Sequence, residues 1–117
     1  MAYADVYLIP IPKKNIAAYK KMALMGKKTW LKHGALQYFE TVGDDLKMPW
    51  GLSFAKQMKL KAGETLVAAW VLYKSKAHRI AVNKRVNSDP MMHEVPKKMP
   101  FDDKRMVVGG FEVLVSS

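Results

Sequence analysis

The run TLVAAWVLY, Thr65 to Tyr73, constrains the fold more than any other part of the chain. Its apolar residues occupy both alternating sets of positions, whereas a strand with one wet face carries polar residues at every second place. Such a strand must be covered on both sides. Helices can cover one side, and something else has to cover the other.

The flanking elements suggest how. Alternation and β-branched or aromatic content predict a strand over about Tyr3–Ile11. Pro12 is placed for the first turn of a following helix, where its missing N–H costs nothing. Ile16, Tyr19, Ala23 and Trp30, widened by Met22 and Met25, share one helical face, predicting a helix over about Lys13–Lys32. Gly34 is suited to end it in a left-handed conformation. A second strand is expected over Ala35–Val42, closed by the turn Gly43-Asp44-Asp45. Leu52, Phe54, Met58 and Leu60 suggest an extra strand near Ser53–Lys61, turned back by Lys61–Glu64 as a hairpin. After Tyr73, Ser75 caps a second helix that stops before Asp89-Pro90. A proline-punctuated loop then leads to a last strand, RMVVGGFEVLV. The expected class is α+β: a ferredoxin-like βαββαβ sandwich with an extra hairpin strand, residues 1–117 forming one domain. Two helices cover only one face of a four-stranded sheet, so a homodimer packing sheet against sheet is expected to cover the other.

Composition narrows the function classes. The chain has 117 residues, enough for a single core. It has no cysteine, which removes disulfides, thiolate nucleophiles and cysteine zinc sites, and a reducing cytoplasmic home fits best. The N-terminal segment lacks the pattern of a signal peptide, and no apolar stretch approaches a membrane span. The formal charge of +10 could mark a polyanion surface, but the lysines are scattered as pairs such as Lys13-Lys14 and Lys97-Lys98 rather than massed. A solvated lysine-rich face is the favoured reading.

The blocks HGALQYFETVGDD, SFAKQMKLKAGETLVAAWVLYKSKAHRIAVN and MPFDDKRMVVGGFEVLV, with the opening YADVYLIPIPKK, cover nearly the whole chain. Together they resemble a bacterial family, the YbaA-like proteins, grouped as a domain of unknown function. The resemblance implies a dimeric α/β-barrel, in which the sheets of two ferredoxin-like subunits pair. That superfamily includes cofactor-free monooxygenases, dehydratases, haem enzymes and stress proteins, but this family carries no assigned reaction.

Candidate site residues follow from an arrangement in which strands one and three run parallel at the centre. The start of strand four then lies near the ends of both, bringing Asp102, Asp103 and Arg105 toward Tyr73, His78 and the Pro10–Pro12 corner. The Gly43-Asp44-Asp45 turn would lie at the opposite end. Tyr73, His78, Asp102 and Arg105 could then supply an acid–base pair and an anion-binding fork. The competing reading is a polar turn in which aspartate caps backbone donors and Arg105 braces the loop. Glu112 sits within an apolar strand. On an interior face it would be a carboxylate suited to acid–base work, on the dimer face it could pair with a lysine, and at an edge it would reach solvent; Glu40 and Asp5 raise the same question. Gly109-Gly110 lacks a following helix, so a bulge or a close approach by another group is expected rather than a phosphate loop. His33, His78 and His93 lack ligand spacing, so no metal is expected, and no cofactor is invoked.

The expected function is a homodimer that binds or transforms a small molecule. The residues singled out are His78, Asp102 and Glu112 for catalysis and Tyr73, Arg105 and Trp70 for ligand binding. The resemblance implies that any pocket lies between sheet and helices, where that superfamily usually holds ligands. The alternatives are a single-stranded nucleic-acid module stacking bases on Tyr7 and Trp70, and an interaction or stress protein without chemistry. Nucleic acid ranks behind core packing of these aromatics, because Leu66, Val67 and Ala68 break the RNA-binding consensus and the resemblance to the YbaA-like family is far longer.

Overall fold

A computed structural model describes all 117 residues. The elements follow in the order β1 (Tyr3–Pro12), α1 (Ile16–Lys32), β2 (Gln37–Val42), α2 (Phe54–Gln57), β3 (Glu64–Tyr73), α3 (Lys76–Asn87) and β4 (Val107–Glu112), with short 3-10 turns before α1, after α3 and before β4. The four strands form one antiparallel sheet in the order β2-β3-β1-β4. This is the α+β, ferredoxin-like arrangement, with α1 and α3 as the two crossover helices.

The central strands β1 and β3 run antiparallel, from Tyr3 opposite Tyr73 to Pro12 opposite Glu64, which corrects the expected parallel pairing. The reason is topological. The helical crossover through α1 returns β2 in the direction of β1, and the turn before β3 reverses the chain once more. Consequently the end of β1, the start of β3, the end of β2 and the start of β4 share one edge of the molecule.

The expected hairpin strand over Ser53–Lys61 is absent; α2 stands there instead. Strand alternation fails at Lys56, whereas Phe54 and Met58 stand four apart, and the Ser53 side chain caps the helix by accepting from the Lys56 N–H. Lys61–Gly63 does form a turn, with Gly63 at φ +79°, but it leads out of a loop rather than a strand. Pro12 is the last residue of β1 instead of the first of the helix, which starts one 3-10 turn later. Gly34 ends α1 at φ +110°, as expected. Ser75 caps α3 by accepting from the His78 N–H at 3.1 Å.

The register sorts the sheet into two unlike faces. Tyr3, Asp5, Tyr7, Ile9 and Ile11 of β1 stand beside Tyr73, Val71, Ala69, Val67 and Thr65 of β3 on the face that carries α1 and α3. Two buried clusters form there. Ile9, Ile11, Tyr19, Val67 and Ala69 make one, and Ala35, Val71, Tyr73, Val82 and Val86 make the other. The opposite face presents Val6, Leu8, Ala68, Trp70, Leu72, Phe39, Val107 and Phe111, with Phe39 stacked on Trp70 at a centroid distance of 4.9 Å. Phe39, Val107 and Phe111 are exposed.

Polar fasteners close the helical layer. Asp5, 2% exposed, holds Arg79 of α3 in a two-oxygen contact at 3.0–3.1 Å, and the guanidinium also lies over the Tyr3 ring. Asp89 accepts from the Met91 N–H and bonds His33 and Lys32 at the end of α1, contacts that hold its carboxyl down at about 2. Gly110 is explained by Tyr3. A Cβ at Gly110 would stand 2.8 Å from that ring, so the residue admits an aromatic neighbour in a continuous ladder without a bulge.

Removing Asp5 strands a partly buried guanidinium. Asp5→Asn should lower stability by about 3 kcal/mol in urea denaturation, and pairing Asp5→Leu with Arg79→Met should recover most of that loss. Equal loss in the single and double variants would show that the ion pair does not govern this site.

Candidate functional site

The antiparallel centre disperses the residues expected to form a site. Tyr73 and His78 lie at the end of β3, which is beside the start of β1. Asp102 and Arg105 lie ahead of β4, beside the opposite end of β1. Each has a structural partner. The Tyr73 hydroxyl donates to Asn83 at 3.1 Å, and His78 Nδ1 accepts from the Lys74 N–H at 2.9 Å. Asp102 accepts from the Lys104 N–H, while Arg105 forks onto Glu64 at 2.7 and 3.0 Å and reaches the Lys59 carbonyl. Arg105 draws the Glu64 carboxyl below its ordinary range. The Gly43-Asp44-Asp45 turn lies at the same end as Arg105, not the opposite one, because Val42 pairs with Val67 near the start of β3. No three ligand-type side chains converge there. Glu112 is exposed at the end of edge strand β4 and forms no ion pair. Trp70 is on the open sheet face.

Tyr7 and Trp70 also part company. Tyr7 pairs with Ala69, so Trp70, one residue on, points to the other side of the sheet. They cannot form a common stacking platform.

What the fold does build is a chamber of about 240 Å³ between the sheet and α1, lined almost wholly by apolar side chains. None of His78, Asp102, Glu112, Tyr73, Arg105 or Trp70 lines it. Six of the nine methionines do: Met22 and Met25 from α1, Met91, Met92 and Met99 from the loop after α3, and Met106 before β4. Unbranched thioethers adapt to irregular or variable contents. Gly26 brings α1 close at this point, since a Cβ there would meet the Tyr38 hydroxyl at 2.6 Å.

One carboxylate enters this apolar space. Glu40 of β2 accepts from the Tyr19 hydroxyl on one oxygen and from the Tyr38 hydroxyl on the other, both at 2.6 Å. It takes no cation, although the chain carries 20 basic residues against 10 acidic ones. Other polar groups in the lining are used elsewhere: Thr29 donates to the Met25 carbonyl and Trp30 to Asn83. Tyr7 differs, because its hydroxyl takes part in no hydrogen bond of the protein. No sealed side-chain polar atom lacks a partner, so this hydroxyl opens onto the chamber it lines.

The register explains how these groups come together. Tyr7 and Glu40 both pair with Ala69, one from each side. Their backbones therefore stand two strand spacings apart, about 10 Å, with a methyl group as the floor between them. Tyr19 descends from α1 onto Glu40. Sequence had flagged Glu40 as an acidic residue in a strand, but nothing local pointed to its partner 21 residues earlier on a helix.

Burial and the Glu40 charge make the chamber phenols reluctant acids. Tyr7 is pushed up to about 12 by burial and then by Asp5, and Tyr19 and Tyr38 go higher through burial and Glu40. Burial also raises Tyr73. Spectrophotometric titration should therefore leave these four of the five tyrosines protonated at pH 10, where a free phenol is about half ionised. Glu40→Gln should bring Tyr19 and Tyr38 down; an unchanged curve would mean the contacts do not persist in solution.

The chain matches the family described as "Protein of unknown function (DUF1428)" over residues 2–103. It is 35% identical over 115 residues to the uncharacterized protein YbaA of Escherichia coli K12, with 98% of each chain covered. The same figures hold for YbaA of Shigella flexneri. In structure it is similar to an uncharacterized NIPSNAP domain protein from Burkholderia xenovorans, with a TM-score of 0.57 and 13% identity over 95% of this chain and 93% of that one. That likeness concerns the fold alone. With a family match that spans β1 through α3 and relatives that align along nearly the full length, the chain belongs to the DUF1428 family.

Proposed function

We propose that this chain is a single-domain binding protein for a compact, mainly apolar molecule carrying one oxygen function, held in the chamber beneath α1. The observation that carries the reading is Glu40, a carboxylate without a counter-ion in an apolar space. A carboxylate held by two phenols and no cation, within an otherwise apolar lining, is the kind of isolated polar group that orients a ligand in such a pocket. The chamber exceeds the roughly 150 Å³ that accepts benzene, which suits a ligand of up to about two fused rings. The apolar lining supplies affinity and the Glu40–Tyr7 pair supplies orientation. The absence of cysteine suits a reducing cytoplasm.

Binding of 2-naphthol and naphthalene, followed by calorimetry, tests this. The naphthol should bind at least tenfold more tightly, Glu40→Gln should erase the preference, and Ala69→Leu should weaken both by filling the floor. No binding of either compound, or full binding by the Ala69→Leu variant, would overturn the reading.

The working form in this proposal is a homodimer joined through the open sheet faces, giving a dimeric α/β-barrel. The central part of that face carries no charged residue in a chain of net charge +10, and a second copy is the partner certain to offer a matching uncharged surface. Four strands and six to ten residues per strand offer roughly 500 Å² in plan, and more with side-chain relief, near the ~800 Å² per partner of a standard interface. Light scattering should give twice the chain mass of 13.3 kDa, and Phe39→Lys with Phe111→Lys should return a folded monomer. A monomeric wild type at micromolar concentration would count against it.

A further inference from the structure

We infer that Tyr7 and Glu40 form a proton-transfer pair that enolises a small apolar ketone or aldehyde lying across Ala69. The inference rests on the binding reading above and adds a reaction to it.

The geometry supplies the two opposed functions such a step needs. On one side of the Ala69 floor stands a carboxylate, and on the other a phenol whose O–H is unspent. Tyr19 and Tyr38 each occupy one Glu40 oxygen, fixing the carboxylate plane while leaving every oxygen a further lone pair. Both groups stand on rigid strands rather than loops. A carbonyl oxygen accepting from Tyr7 would direct the adjacent carbon across the methyl group toward Glu40.

In the step itself, the C–H bond next to the carbonyl breaks and its proton passes to a Glu40 oxygen. The released electron pair forms the C=C bond, and the carbonyl π pair moves onto oxygen as an enolate stabilised by the Tyr7 hydroxyl. Return of the proton to the same carbon, its other face or a conjugated carbon completes the cycle. Atoms and charge balance without oxidant, reductant or cofactor. Tyr7 is suited to donate without ionising, since burial holds its phenol neutral well above physiological pH. The lining is almost wholly apolar, so few protein groups compete with Tyr7 for the enolate oxygen.

The pair can be tested with 1-indanone in deuterium oxide, following loss of the α-proton signal by NMR while measuring binding separately by calorimetry. The wild type should accelerate exchange over buffer at least 100-fold, in keeping with what a positioned general base contributes. Glu40→Gln should return the rate to near that of buffer. At saturating indanone, Tyr7→Phe should slow exchange of the bound ketone at least tenfold, beyond any weakening of binding seen by calorimetry, a split between rate and affinity that a merely structural role would not produce. Glu40→Asp keeps the charge but retracts it by one methylene, and should retain the fold and bind while exchanging more slowly. Indanone that binds without accelerated exchange, or exchange indifferent to Glu40, would overturn the proton-transfer assignment and leave the binding reading standing. Failure of indanone, 2-naphthol and naphthalene alike to bind would overturn both.

Discussion

Ten consecutive pairings between β1 and β3, from Tyr3 with Tyr73 to Pro12 with Glu64, determine the rest of the molecule. Because side chains alternate across a strand, this one register decides which residues meet the helices and which are left outward. A slip by one residue would send Tyr7, Ile9 and Ile11 outward and bring Val6, Leu8 and Pro10 beneath α1. The edge strands inherit the same alignment, so Tyr38 and Glu40 of β2 also face inward. The site is thus a consequence of register before it is a matter of individual side chains.

Within that frame, a small residue at the centre matters as much as the large ones around it. Ala69 is flanked by Tyr7 and Glu40, and its methyl leaves open the volume that a leucine would fill. The surrounding methionines line this space without the fixed shape of branched side chains. Elsewhere the same sheet carries polar groups that serve stability alone. Asp5 with Arg79 and Glu64 with Arg105 each pair a carboxylate with a guanidinium. Glu40 lacks that compensation, and its two phenolic donors satisfy its hydrogen bonding without cancelling its charge. That difference separates the candidate site from the fasteners.

The chain's periodicity made its major elements legible. The α1 face from Ile16 to Trp30, the Ser75 cap and the Gly34 stop are local signals, and each is found in place. Leu52, Phe54, Met58 and Leu60 mimic strand alternation around Ser53–Lys61, while the Ser53 cap and the Phe54–Met58 spacing favour the helical turn that forms there. The expected grouping of His78, Asp102 and Arg105 depended on strand direction. Once β1 and β3 run antiparallel, those residues fall at opposite ends of the sheet and settle into caps and braces.

Sequence alone determined the class of fold, the position of its crossover helices and the demand of the Thr65–Tyr73 strand for cover on both faces. Those properties arise from alternation, helical spacing and capping, all of which act between near neighbours. Only the tertiary structure decided where a carboxylate would meet the chamber. Tyr19, Tyr38 and Glu40 belong to a helix and a strand, and Tyr7 and Glu40 to strands that never touch, being joined through Ala69 of a third. Such a site depends on long-range register and strand direction, which no local pattern encodes, and so the acidic residue that lines the chamber is Glu40 rather than the more conspicuous Asp102 or Glu112.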